Sequence, residues 1–482
     1  MRQNNKQVNN HIKIFILFAV SLAFYLVWYL LDGIILTEDA PSYIHMQSDR
    51  EPGYCLYLWL FRAVFGTDIS LHAAVIVQCI VAACAACAVT VQLTKFFALN
   101  GLGSMGVLLV QYGITLLNRF VAQRRYSYFN SIETEGLSYS LWIFYFLCLL
   151  GILYHYSKRD KLRSVAGAVI WSVALISIRK HMLITLVLLF VVVIFAFWRS
   201  KGMLRAGICA LLVCLAGFAG TKLIDCSYNL MMRGTFAPHT GDSSFILGTE
   251  LYLADKDMVS YIQEEPYKTL FLEIMQRADE KEYNTAYAQK GWQAVVDHYS
   301  ASYDRIKFDI VMPVIREYQD AQGIAEADRE ENYNLIAGTL MRSLLPPSIP
   351  KLIGLFACNV IHGLVTTVLK VHRILNWVAL LVYVLYVATI AALVWCARSG
   401  NARNVSGNAR HASGNAVKTA WCAVRFALLV LLSIVVNVCF TSLTIYCQMR
   451  YMLYNTGLFY QAWGIMLYKL WEQRNDIKGS VL

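Results

Sequence analysis

Long apolar stretches separated by short polar ones dominate the chain. Runs at 14–36, 70–94, 103–118, 136–154, 164–178, 182–198, 204–224, 374–396, 421–445 and 453–470 approach or reach membrane length. A helix needs about 20 residues to cross roughly 30 Å of hydrocarbon. The pattern therefore predicts an all-α polytopic membrane protein with about ten transmembrane helices. A further run, 352–369, contains Asn359, His362, Gly354 and Gly363, and is read as a helix lying at the interface. The first run follows a polar, basic segment, Met1 to Lys13, and is too long and too aromatic for a cleaved signal, so a retained helix is expected. Leu56 to Phe65 is apolar but only about ten residues long and carries Arg62. That segment predicts a helix along the surface ahead of the second span.

Residues 225–350 interrupt the apolar pattern and are numerous enough for a small folded domain. Ile306, Ile310 and Val314, with Val311, Ile315 and Tyr318, repeat at helical spacing, as do Leu270, Ile274 and Met275. A mainly helical extracytoplasmic domain is expected there. Pro266 and Pro313 fall near helix starts or kinks, and Pro346-Pro347 marks the return to the membrane. Three regions follow: a membrane module at 1–224, the helical cap at 225–350, and an interfacial helix with the C-terminal spans at 351–482.

Lysine and arginine in the short loops orient the spans. Lys95, then Lys158, Arg159, Lys161 and Arg163, then Arg199, Lys201 and Arg205 share one side, which places both termini in the cytoplasm. The C-terminal Lys469, Arg474 and Lys478 agree with this if 352–369 does not span. The inside loop 399–419 repeats SGNARNV, SGNARHA and SGNAVKT, with no apolar seam, which suits a flexible linker. The sequon Asn404-Val405-Ser406 lies on that same inside face.

Composition narrows the class: 58% of residues are hydrophobic and 15% charged, outside the soluble range. The net charge of +11 is spread over inside loops rather than gathered in a patch, so nucleic acid is not an expected partner. Of 31 acidic residues, 20 lie in 225–350, against 11 lysines and arginines there. This asymmetry points to chemistry on the outer face. The 13 cysteines sit mostly inside apolar runs without metal-ligand spacing, and read as packing residues.

Charge beside a bilayer is expensive, so a charged cluster there is a candidate site. The first outer loop holds one: Thr37-Glu38-Asp39-Ala40-Pro41-Ser42-Tyr43, then Asp49-Arg50-Glu51-Pro52-Gly53-Tyr54. Asp39-x-x-x-Tyr43 followed by Arg50-Glu51-Pro52-Gly53-Tyr54 resembles the first-loop signature of the GT-C class of membrane glycosyltransferases. That class includes the bacterial relatives of protein mannosyltransferases and aminoarabinose transferases. The resemblance is close over 36–66 and extends at the level of topology over 1–224, while 225–350 lies outside it. Cys55 departs from the pattern, where related sequences often have proline or a small residue.

The resemblance implies that Asp39 is the general base, in line with the need to take a proton from an attacking hydroxyl. Glu38 is the alternative base, or a neighbour that tunes it by like charge. Tyr43, Arg50, Glu51 and Tyr54 become candidate substrate-binding residues. The donor the resemblance implies is a polyprenyl-phosphate-linked sugar, transferred with inversion to a lipid, glycan or protein acceptor in the plasma membrane.

A phosphate leaving group calls for cations. Arg119, Arg124, Arg125, Arg179, Lys180 and Arg450 (next to Tyr451) stand at outer ends of spans, against the positive-inside bias. Glu133 and Glu135 precede the fourth span. With Asp39 they could hold a divalent cation through oxygen ligands or bind sugar hydroxyls; the cofactor stays open. His239, Asp242 and His298 read as solvated loop residues. The competing classes are an envelope polysaccharide polymerase or ligase, whose key loops come later, and a transporter or lipid flippase. The latter class commonly shows repeated halves and mid-membrane polar groups. A non-catalytic receptor using 225–350 is the third.

Overall fold

In hydrocarbon every backbone N–H and C=O must be satisfied within its own segment, so membrane-length apolar runs become helices. A computed structural model describes residues 2–48, 50–121, 126–155, 157–238, 244–404 and 412–479. The chain opens with α1 (Arg2–Asp32), β1 (Ile35–Leu36), α2 (Ala40–Ile44), α3 (Pro52–Phe97) and α4 (Gly101–Phe120). It continues with β2 (Ser131–Ile132), α5 (Thr134–Tyr154), α6 (Lys158–Ile178), α7 (Ile184–Lys201) and α8 (Met203–Arg233). Then come α9 (Ser244–Leu253), α10 (Glu265–Glu280), α11 (Trp292–Arg305) and α12 (Met312–Ala321), with a π-helical turn, Ile306–Val311, between the last two. The long helices α13 (Arg329–Val368), α14 (Leu375–Asn404), α15 (Ala412–Thr444) and α16 (Met449–Gly479) close the chain.

Ten helices among the described residues are long and apolar enough to cross a membrane. The protein is an all-α polytopic membrane protein. Two assignments differ from the expectation. The run 453–470 lies in α16, which is helical but carries Asn455, Gln461 and Lys469 and does not reach the apolarity of the others. Residues 352–368 instead form the C-terminal half of α13, a 40-residue helix that does reach it. Pro346, Pro347 and Pro350 lie inside α13 and do not end it. Proline disfavours a helix interior, but Leu340, Leu344 and Ser348 are buried on either side, and that packing keeps the helix continuous.

The surface segment is resolved from the span that follows it. Gly66 takes φ 74° and ψ −178°, a conformation suited to glycine, and breaks α3 there. Trp59, Leu60, Val64 and Phe65, ahead of the break, are exposed. Around the repeat, 399–404 and 412–419 belong to α14 and α15 rather than to a linker. Residues 405–411, and with them most of the sequon, lie outside the described residues.

The chain divides into two compact units, and both are discontinuous. The first holds Met1–His239, Trp377–Val436 and Leu453–Leu482; the second holds Thr240–Asn376 and Asn437–Met452. The expected boundaries at 225–350 and 351–482 are thus corrected. α8 carries the first unit past residue 224, and the end of α15 with the start of α16 completes the second. Inside the second unit, Leu270, Ile274, Ile306, Ile310, Val314 and Ile315 form one buried core, as their spacing predicts. Pro266 and Pro313 occupy first-turn positions of α10 and α12, where the missing N–H costs nothing. His298 is not a solvated loop residue: it sits on α11 and hydrogen-bonds Tyr252 Oη and the Glu282 carbonyl. All 13 cysteines are free.

In the first unit, Gly136 at the start of α5 lies against the Tyr128 carbonyl; a Cβ there would stand 2.5 Å from that oxygen and 2.9 Å from Gln78 Nε2. Gly136→Ala is expected to lower stability by about 1–3 kcal/mol through overpacking. Thermal unfolding in detergent measures it.

Candidate functional site

The first loop is shaped by its prolines and glycine. Pro41 stands in the first turn of α2 and Pro52 in the first turn of α3, so each fixes φ where a helix begins. Asp39 occupies the N-cap of α2 but its side chain does not cap the helix. Oδ1 instead accepts from Arg50 Nη2 at 2.8 Å. The Arg50 guanidinium also lies 4.8 Å from the centre of the Tyr43 ring. Asp39 is 29% exposed and Arg50 24%, so this is a pair a solute can reach. Glu38 is exposed and makes no hydrogen bond or ion pair among the described residues.

Gly53 explains how the loop meets the sixth helix. A Cβ at that position would be 2.7 Å from the Ser177 carbonyl oxygen, so only glycine admits the contact. The approach brings the Arg50–Tyr54 segment beside Arg179, which is the C-cap of α6. Arg179 is half-buried, pairs with the buried Glu135 and donates to Thr134 Oγ1 at 3.3 Å. Thr134 Oγ1 in turn donates to Glu135 Oε2 at 3.0 Å. Tyr43 is buried and feels the charges of both ion pairs. Burial pushes its hydroxyl well above the ordinary value, against the pull of Arg50 and Arg179. Beyond Arg179, the Tyr454 ring lies 5.7 Å from that of His181, and Tyr454 Oη is 2.7 Å from Ser138 Oγ.

Glu51 is half-buried as a residue, yet its carboxyl is enclosed. Burial raises it above the usual carboxylate range, opposed by its own backbone N–H and by Lys180, Arg50 and Arg179. It faces a cavity of about 60 Å³ whose other charged walls are Lys180, Lys222 and Asp225, with Ser177 and Thr221 as neutral polar walls. A water needs roughly 10–15 Å³ on such a measure, so the space suits a few waters or a small anionic group rather than a sugar.

A second segment is fastened to the first loop. β1 and β2 pair in parallel, Ile35 with Ser131 and Leu36 with Ile132. Thr37 Oγ1 donates to the Ile132 carbonyl at 3.2 Å, and Asn130 Nδ2 donates to the Gly33 carbonyl at 2.8 Å. Gln78, fully buried in α3, accepts from Tyr54 Oη at 2.9 Å and donates to the Phe129 and Ser131 carbonyls at 3.3 and 3.1 Å. Tyr43 packs edge-on against Tyr54 with centroids 5.2 Å apart. Glu133 is 1% exposed and accepts from Tyr126 Oη at 2.8 Å.

Asp39, Tyr43, Arg50, Glu51, Tyr54, Glu135, Arg179 and Lys180 thus gather in one unit, with Glu133 in the segment paired to the loop. Arg124, Arg125, His239 and Asp242 lie outside the described residues. Arg450 and Tyr451 belong to the second unit, where Arg450 Nη2 donates to Tyr451 Oη at 3.3 Å. Arg119, one of the expected phosphate-facing cations, is paired with Asp32. Its Nε and Nη2 grip both oxygens of Asp32 at 3.0 and 2.9 Å. Sequence reasoning passed over Asp32, Gln78, Thr134 and Tyr454; a glutamine within the apolar run 70–94 was the signal available for one of them. Among the described residues no three His, Cys, Asp or Glu side chains converge into a group that could hold a metal ion. No family model, curated protein or solved structure matches this chain.

The Asp32–Arg119 pair predicts a measurable coupling. A double-mutant cycle with Asp32→Ala and Arg119→Ala, followed by thermal unfolding, should return about 1 kcal/mol.

Proposed function

We propose that the protein is a membrane glycosyltransferase, acting on a polyprenyl-phosphate-linked sugar with an extracytoplasmic acceptor. One observation carries the reading. A partly exposed carboxylate, Asp39, is held by Arg50 beside the Tyr43 ring, and the charges of Arg179 and Lys180 are felt at neighbouring first-loop residues, Tyr43 and Glu51. Such a site separates a proton acceptor from a phosphate-holding group, as group transfer from a phosphate donor requires.

The reaction balances as follows. The acceptor hydroxyl oxygen forms a bond to the anomeric carbon as the bond from that carbon to the phosphate oxygen breaks. The phosphate leaves with the electron pair, and Asp39 takes the hydroxyl proton. Arg50 donates to Asp39 Oδ1 and orients the carboxylate that takes the proton. Attack from the face opposite the phosphate inverts the anomeric centre. Arg179 and Lys180 offset charge on the departing phosphate, with Arg179 held in place by Glu135 and Thr134. The acceptor is a lipid, a glycan or a protein at the outer face of the plasma membrane.

Asp39→Asn is expected to reduce transfer from polyprenyl-phosphate sugars by about 10²–10⁴-fold, the usual worth of a general base, while Glu38→Gln stays within a few-fold. Undiminished turnover in Asp39→Asn overturns the assignment. On this reading both termini lie in the cytoplasm, an orientation that the basic residues near the N-terminus favour. Tags fused there should resist protease in intact cells and be cleaved after permeabilisation.

A further inference from the structure

The second unit contains an ionisable group that the proposed reaction does not use. Glu250 lies on α9 at 0% exposure, and neither carboxylate oxygen has a hydrogen-bond partner. Burying an ionised carboxylate without a partner is costly enough that the group neutralises instead. α9 packs against α13, α11 and the π-helical turn. On those elements His298 meets Tyr252, Tyr299 meets Thr249, Arg329 pairs with Asp320 and Lys351 with Asp255, while Asp297, Asp304, Arg305, Asp309, Glu330, Glu331 and Arg342 are exposed. Tyr303 and Lys307 are buried nearby, and Tyr333 and His362 half-buried, yet none gives Glu250 a hydrogen bond or ion pair. Burial alone raises the carboxyl to about 8.

At the C-terminal end of α9 Lys351 Nζ donates to the Leu253 carbonyl at 2.9 Å, and Asn284 Nδ2 to the Ala254 carbonyl at 2.7 Å. Through the middle, Leu247 and Leu251 enter the core and Thr249 meets Tyr299. The helix begins at Ser244, shortly after the boundary between the units at His239 and Thr240.

We propose that α9 is a proton-dependent latch, docked on the second unit while Glu250 is protonated and released as that proton leaves. The sign follows from linkage. Released, the carboxyl titrates near its ordinary value of about 4.3; docked, it titrates higher. Between those two values release is accompanied by loss of a proton, so each pH unit favours release about tenfold. Docking is therefore strongest in acid, weakens from about pH 5 to about pH 8, and changes no further above that.

Hydrogen exchange on the full chain in lipid nanodiscs between pH 5 and pH 9, corrected for intrinsic amide exchange, tests the latch. The opening constant of α9 should rise about tenfold per pH unit and level off near pH 8. In Glu250→Gln the slope should vanish; Glu250→Met, also uncharged, takes its place if the glutamine variant does not fold. A flat wild-type profile overturns the proposal whatever the variants do. So does a slope that persists unchanged in the uncharged variant.

Discussion

One buried side-chain amide ties together three separate parts of the first unit. Gln78 sits inside a membrane-length helix, where an unmatched amide would be heavily penalised. Both ends of the amide are used, by the Tyr54 hydroxyl on one side and by two backbone carbonyls of the segment before α5 on the other. Those carbonyls could not otherwise lie beside the helix without losing water. The surface segment, the span and the strand β2 therefore take up their places together, and Gly53 and Gly136 are glycines because that arrangement leaves no space for a Cβ.

The two ion pairs of the site differ in what their surroundings make of them. Asp39 and Arg50 remain partly in water, where a pair contributes little to stability and either member can exchange its partner for a solute. Arg179 and Glu135 are withdrawn from water, where removing one member leaves an uncompensated charge. The first pair is open to a solute, and the second fixes the position of Arg179. Glu51 lines the small cavity, and burial raises its carboxyl above the usual range.

The architecture was largely legible because its cause is periodic and local: apolar runs of membrane length become helices whatever their neighbours. The core positions of the second unit were legible for the same reason, since Ile306, Ile310 and Val314 keep helical spacing through the π-helical turn. Pro346 and Pro347 lie inside a helix because local backbone preference yielded to side-chain packing. In the site, charge near the membrane marked Asp39, Arg50, Glu135 and Arg179 but could not say which cation meets which anion. Arg119 shows the difficulty: its partner Asp32 is 87 residues away, at the end of a different span. Gln78 and Thr134 gain their roles only from contacts across helices, which no single-chain pattern encodes.

The division of the chain has a consequence for biosynthesis. The second unit is closed by Asn437–Met452, and the first by the residues after them. A ribosome releasing this chain at about 5–20 residues per second delivers the first loop, α9 and most of the helices long before either unit is complete. Asp32, Arg119, Glu135 and Arg179 can find each other early, because all precede the cap. Tyr454, the partner of Ser138, arrives after both. The early helices must therefore wait in the bilayer with part of their packing surface unfilled until Leu453–Leu482 is made.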